Sequence, residues 1–224
     1  MKFVRNFLFV YLVVCQSACS AKSLGLNCSQ LAINEDYQEA LPVCERAYNE
    51  ALWKLGENHP ETLVSQIGLI DTYLYFERYD DAELLAITLE DRTNKMLNAT
   101  NHKLDIGKVS QSIMQTKIFS LNSLAIIHEK QGKLSQSIDD WKSLYDWTKK
   151  FPESQFVSER FISSTAIADL CLDEKRIEES KYYLKVADDL YARYSDTKLL
   201  NEEDIKDYRD FLKARSKNIL EHNK

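Results

Sequence analysis

Reactive side chains are few in this chain, and their spacing decides what chemistry they could do. Beyond residue 21 there are three cysteines (Cys28, Cys44 and Cys171) and four histidines (His59, His102, His128 and His222), and neither type is clustered. Cys171 and His128 could be read as a nucleophile and its base, but nothing in their spacing brings them together. The acidic pairs Asp80-Asp81, Asp139-Asp140 and Asp188-Asp189 fall on helix faces expected to be solvated, so each reads as surface before it reads as a general acid and base. There is no Gly-rich phosphate loop, no GxSxG, no HExxH and no CxxC. No cofactor and no metal site is expected, and no catalytic residue is assigned. A thiol-dependent hydrolase or redox protein using Cys171, His128 or the Cys28 and Cys44 thiols is the weakest reading, because a cycling redox pair is usually an exposed CxxC with a lowered pKa.

The elements that would position these residues are helices. The chain has 224 residues, five glycines and three prolines, too few for a turn-rich β protein. Ala, Leu, Glu, Lys and Gln fill its interior, an all-α composition. The formal net charge is −6, and the first 21 residues hold two basic and no acidic side chains, so the remainder is more acidic still. That balance argues against nucleic acid as a partner and favours a partner with basic residues.

Residues 1–21 stand apart. Lys2 and Arg5 precede an unbroken apolar run, FLFVYLVV, followed by the small, weakly polar CQSACSA. This is the layout of a secretory signal peptide, and the run is too short to span a bilayer. Cleavage after Ala21 would release an exported, periplasmic or secreted chain. The alternative is a lipoprotein signal with Cys19 as the lipidated first residue, since Ser17-Ala18 precede it; Gln16 stands where such a signal wants Leu. In an oxidising compartment, three remaining cysteines fit one disulfide and one leftover thiol.

Four segments repeat: DYQEALPVCERA (36–47), YDDAELLAITLE (79–90), LSQSIDDWKSLY (134–145) and IEESKYYLKVAD (177–188). Their small residues, Ala40, Ala82, Ser137 and Ser180, lie 42, 55 and 43 positions apart. Apolar or small residues follow each at four and seven positions, which places them on one helix face. Another helix precedes each of the last three segments: SQIGLIDTYLYFERY (65–79), SLNSLAIIHEKQGKL (120–134) and SSTAIADLCLDEKRI (163–177). The unit is helix, short turn, helix, and it occurs about four times, with an insertion near residues 96–108. In LGENHPETL (55–63), Gly56 is expected to close one helix with a left-handed cap. Asn58 would cap the next, Pro60 would sit in its first turn, and Glu61 would complete a capping box. His59 reads as packing, since no second His lies at metal spacing. The stretch 201–220 reads as a final helix that covers the open end of the array, with Asn201 as its cap.

LGENHPET (55–62), SLAIIHEKQG (123–132) and RYDDAE (78–83) resemble the tetratricopeptide repeat (TPR), in particular the longer repeat of kinesin light chains. The resemblance spans roughly residues 24 to 195. Glu35, Glu77 and Lys175 depart from it by replacing the turn glycine. It implies an all-α right-handed superhelix of stacked helix hairpins: a leader (1–21), a repeat domain (22–197) and a C-terminal capping helix (198–224). It implies a non-enzymatic adaptor that holds a peptide or protein on its concave face, or an oligomeric structural element whose concave face another copy fills. The family's groove positions fall on Asp71, Leu74 and Tyr75; on Phe119, Asn122, Ile126 and Glu129; and on Thr165, Asp169 and Asp173. These apolar residues can equally be core, and the charged ones a solvated wall. The family's spacing also sets Cys28 opposite Cys44 across the first hairpin, within disulfide reach.

Overall fold

A computed structural model of the chain describes residues 27–28, 30–31, 34, 36–99, 111–200, 202–206, 208–210 and 212. The leader, Cys19, Asn201 and most of the insertion lie outside the described residues. Seven α-helices carry the fold: α1 (Tyr37–Leu55), α2 (Pro60–Tyr75), α3 (Tyr79–Ala99), α4 (Gln111–Lys130), α5 (Leu134–Thr148), α6 (Val157–Asp173) and α7 (Ile177–Tyr194). A 3-10 turn, Glu153–Gln155, lies between α5 and α6. No strand occurs among the described residues. The chain divides into two units, up to Gly132 and from Lys133 onward.

In the first unit α1 packs on α2, α2 on α3, and α3 on α4; in the second α5 packs on α6 and α6 on α7. The repeated small residues explain how closely the helices approach. Ala40, Ala82, Ser137 and Ser180 are all buried, and so are Ala47, Leu89, Leu144 and Ala187 seven positions on. Ser180 keeps its hydroxyl satisfied by donating across the α6–α7 hairpin to the Ala168 carbonyl at 2.7 Å. In the first unit, Leu63, Ile67 and Ile70 of α2 meet Ala82, Ala86 and Leu89 of α3 and Phe119, Leu124 and Ile127 of α4. A second cluster joins Cys28, Ala40, Cys44, Ala47 and Tyr48 to Leu69. In the second unit Val157 and Phe161 pack with Ala187, Leu190, Leu200 and Tyr208.

The punctuation between α1 and α2 differs in detail from the sequence expectation. Gly56 does have positive φ (85°), but with ψ 168° it is in the extended positive-φ region, not the left-handed helical one. That region is essentially restricted to glycine. Nothing lies within 4 Å of where a Cβ would sit, so conformation and not crowding selects glycine there. The N-cap of α2 is His59, not Asn58: His59 Nδ1 accepts from the Glu61 backbone N–H at 3.2 Å. Pro60 at the first helical position removes a donor that has no partner anyway. Thr62 then ties the joint by donating to the Gly56 carbonyl at 2.8 Å.

The turns between α2 and α3 and between α6 and α7 are of one kind. Arg78 N–H donates to the Tyr73 carbonyl (2.9 Å) and Arg176 N–H to the Cys171 carbonyl (2.7 Å), the six-to-one bond of a Schellman turn. The residue before each arginine must take positive φ, and Glu77 (57°) and Lys175 (58°) do so without being glycine. Asp36 N–H makes the same six-to-one bond to the Leu31 carbonyl at 3.0 Å. At Glu77 and Lys175 the departures from the family's turn glycine therefore leave the turn geometry intact.

Candidate functional site

In the first unit the groove positions divide by depth. Asp71, Leu74 and Tyr75 follow one another at helical spacing along α2. Asp71 is buried, Leu74 is half-buried, and Tyr75 is 50% exposed. On α4, Phe119, Asn122 and Ile126 are buried and Glu129 is half-buried. Phe119 and Leu74 belong to the packed cluster with Leu63, Ile67 and Ile70. Tyr75 stacks almost parallel on Tyr37 of α1 (centroids 3.9 Å, 12°), and its edge meets Phe76. In the second unit Thr165 is buried and donates to the Phe161 carbonyl at 2.9 Å, Asp169 is half-buried, and Asp173 is exposed.

Sequence reasoning missed two features of the first unit. Tyr37 was not singled out, although an aromatic at the start of a helix facing the end of its partner is the available signal. The other is a buried polar network. Arg92 donates to Gln66 Oε1 (2.7 Å) and reaches Tyr48 Oη (3.5 Å), while Gln66 Nε2 donates to the Leu85 carbonyl (2.8 Å). Arg92 stands three positions after Leu89 on the buried face of α3, so an arginine on an apolar stripe was its visible sign. Lys117 on α4 is likewise buried and pairs with Glu90 at 2.7 Å.

The thiols are placed for structure. Cys28 and Cys44 are bonded (S–S 2.10 Å, Cα–Cα 4.8 Å), and both are buried. Thr72 points its hydroxyl at Cys44 Sγ from 3.6 Å. Cys171 is free and buried, and burial pushes its thiol up to about 11, so it is a poor nucleophile at neutral pH. His128 is buried on α4 with Nε2 3.2 Å from Glu83 Oε1. Asp80, Asp81, Asp139, Asp188 and Asp189 are exposed and Asp140 is half-buried. Among the described residues no group of three His, Cys, Asp or Glu side chains could hold a metal ion, and no helix is long and apolar enough to cross a membrane.

Asp71 is the electrostatic anomaly. Both carboxylate oxygens are buried without a hydrogen-bond partner. Burial raises the carboxyl well above the usual carboxylate range, and no neighbouring charge offsets it.

No protein-family model and no curated protein matches the chain. Solved structures do. Crystallised TPR-like repeats from Podosopora anserina, described as nearly identical repeats of kinesin-light-chain type, superpose with a TM-score of 0.63 at 16% identity, over 89% of this chain and 91% of theirs. A point variant of that repeat protein gives 0.64 at 16% identity, over 90% of this chain and 91% of its own. At that identity the likeness speaks for the fold, and the chain has the TPR-like helical-repeat fold that its sequence motifs resemble.

Proposed function

We propose that this protein is a non-enzymatic adaptor of the bacterial cell envelope that captures a peptide or protein on the concave face of its repeats. The TPR-like fold across nine-tenths of the chain carries this reading, since such arrays serve as protein-interaction scaffolds. The groove positions that reach solvent, Tyr75 and Asp173 above all, are the contacts offered to a partner, an aromatic platform and a carboxylate. The acidic balance of the chain fits a partner with basic residues. Export rests on the leader at residues 1–21, with cleavage after Ala21 or lipidation of Cys19 as the two forms of the mature end.

An affinity capture from the native envelope fraction tests the adaptor. Wild type is run beside a Tyr75→Ala/Asp173→Lys variant, whose changes fall on exposed side chains. A partner lost only from the variant is the expected outcome. Equal recovery by both would move the interface off this face, and recovery of the chain alone would replace the adaptor with a self-associating structural component. The intact mass of the same preparation reads the mature end.

A further inference from the structure

A buried carboxylate without a partner is costly, and a fold normally supplies one. Among the described residues of the first unit, the buried cations Arg92 and Lys117 and the exposed Arg78 are committed elsewhere. On α3, Arg92 is held by Gln66, Tyr48 and Glu57. On α4, Lys117 is held by Glu90. Arg78, beside Glu45 of α1, is shared between that residue and Asp81. Glu45 is engaged with Tyr73, and Glu83 with His128. None of them serves Asp71, whose two oxygens are buried without a hydrogen-bond partner.

Its place on α2 shows what could serve it. The continuous buried run of α2, Thr62 to Thr72, ends at this turn. One turn further on the same face stands Tyr75, half in solvent and stiffened by its stack on Tyr37. A carboxylate one turn inside the point where the helix opens, behind a flat aromatic, suits a long cation with a planar, forked head. Guanidinium fits better than ammonium, because it can meet both oxygens at once and lie against a ring.

We propose that Asp71 is the receptor for one arginine side chain of the partner, with the guanidinium paired to both carboxylate oxygens and the stem laid along Tyr75. This rests on the adaptor reading above. In the free protein burial disfavours the charged carboxyl and raises its pKa. Arginine binding favours the charged form, so binding is coupled to proton release and weakens as pH falls.

The test uses acetylated, amidated decapeptides of random sequence in an array, probed with the mature chain and with Asp71→Asn. Each binder is resynthesised with citrulline, the neutral isostere, in place of each arginine. The expected result is that binders contain arginine and that one citrulline exchange weakens binding at least about tenfold on wild type but not on Asp71→Asn. Calorimetry in two buffers of different ionisation enthalpy should show proton release on binding by wild type and none by the variant. Should Asp71→Asn fail to fold, citrulline exchange and proton release on wild type still decide. Binders that lack arginine, or that tolerate citrulline without proton release, would overturn this inference and leave the adaptor standing. An array without binders would overturn both.

Discussion

The two ends of the repeat array are closed by different physics. At the N-terminal end, the helical residues around Cys28 are tied to α1 by a buried disulfide. At the C-terminal end, helical residues between 202 and 212 are held on α6 and α7 without a covalent tie, by packing and side-chain hydrogen bonds. There Tyr208 is 1% exposed, its ring 5.0 Å from Phe161 and 5.8 Å from Tyr191, and its hydroxyl donates to Asp188 at 2.6 Å. A terminal repeat has a neighbour on one side only, so it must replace the missing interface. The C-terminal segment can do this because it inserts a whole tyrosine, with Leu200 beside it. Among the described N-terminal residues, Cys28 is buried and Leu31 half-buried against α1, and a covalent bond is added to that packing.

The sharpest way to break this comparison is to empty each anchor. Tyr208→Ala should cost about 4 kcal/mol, the range for deleting a buried aromatic, and lower the denaturation midpoint of the second unit's helices. Tyr208→Phe, which keeps the ring and drops the bond to Asp188, should cost only about 1 kcal/mol. If the two variants were equally damaging, the hydroxyl and not the packing would hold this end. Replacing Cys28 and Cys44 together by alanine should cost about 3 kcal/mol, the entropy of a loop of sixteen residues, read as the loss of exchange protection in α1. A reducing agent in the denaturation series should reproduce that loss on wild type and leave Tyr208 variants unchanged.

How much of this was legible follows from which signals are local. The hairpins were, because small residues at Ala40, Ala82, Ser137 and Ser180 recur at spacings that only a stacked helix face explains. The bridge followed from counting along the repeat, which put Cys28 against Cys44. The cap at His59 was not legible, since Asn58 is the better side-chain cap by propensity. Pro60 fixes the helix start, and so the residue before it must be the cap. The groove positions could be named from the family pattern but their depth could not. Whether Asp71 is buried while Tyr75 stays half exposed depends on contacts from other helices, which the α2 sequence does not contain. Likewise Arg92 looks like a surface charge until Gln66 and Tyr48, 26 and 44 residues away, are seen to meet it.

A milder probe separates the two ends by pH. Glu159 lies in the first turn of α6, where burial above all pushes its carboxyl up to about 7. The nearby Asp204 of the terminal segment adds to this, while its own backbone N–H and Arg160 oppose it. The folded state therefore keeps a proton that the unfolded chain, with an ordinary glutamate, releases near 4.5. The stability this lends is fully present below about 4.5, falls as pH rises to about 7, and is flat above that. The second unit should lose about 3 kcal/mol between pH 4.5 and 7.5, and Glu159→Gln should flatten that slope. The first unit carries its own carboxyl raised by burial, Asp71, so the Glu159 titration is read on the helices of the second unit, α6 and α7. A wild-type slope that survives in Glu159→Gln would place the titration elsewhere.

The smallest effect belongs to a feature the two units share. Glu77 and Lys175 hold left-handed backbone without being glycine, at a cost of about 1 kcal/mol each. Glycine relieves that strain but returns some freedom to the unfolded chain, so Glu77→Gly and Lys175→Gly should each stabilise by about 0.5 kcal/mol. The readout is slower exchange of the two turn amides, Arg78 N–H bonded to Tyr73 and Arg176 N–H bonded to Cys171. Because the two turns have the same geometry, the gains should be equal, whatever closes the end of each unit. Equal gains would confine the difference between the ends to their anchors, the disulfide and Tyr208. A larger gain at Glu77 would mean that strain in the first unit is also borne by its covalent staple, and that the staple compensates for more than a missing neighbour.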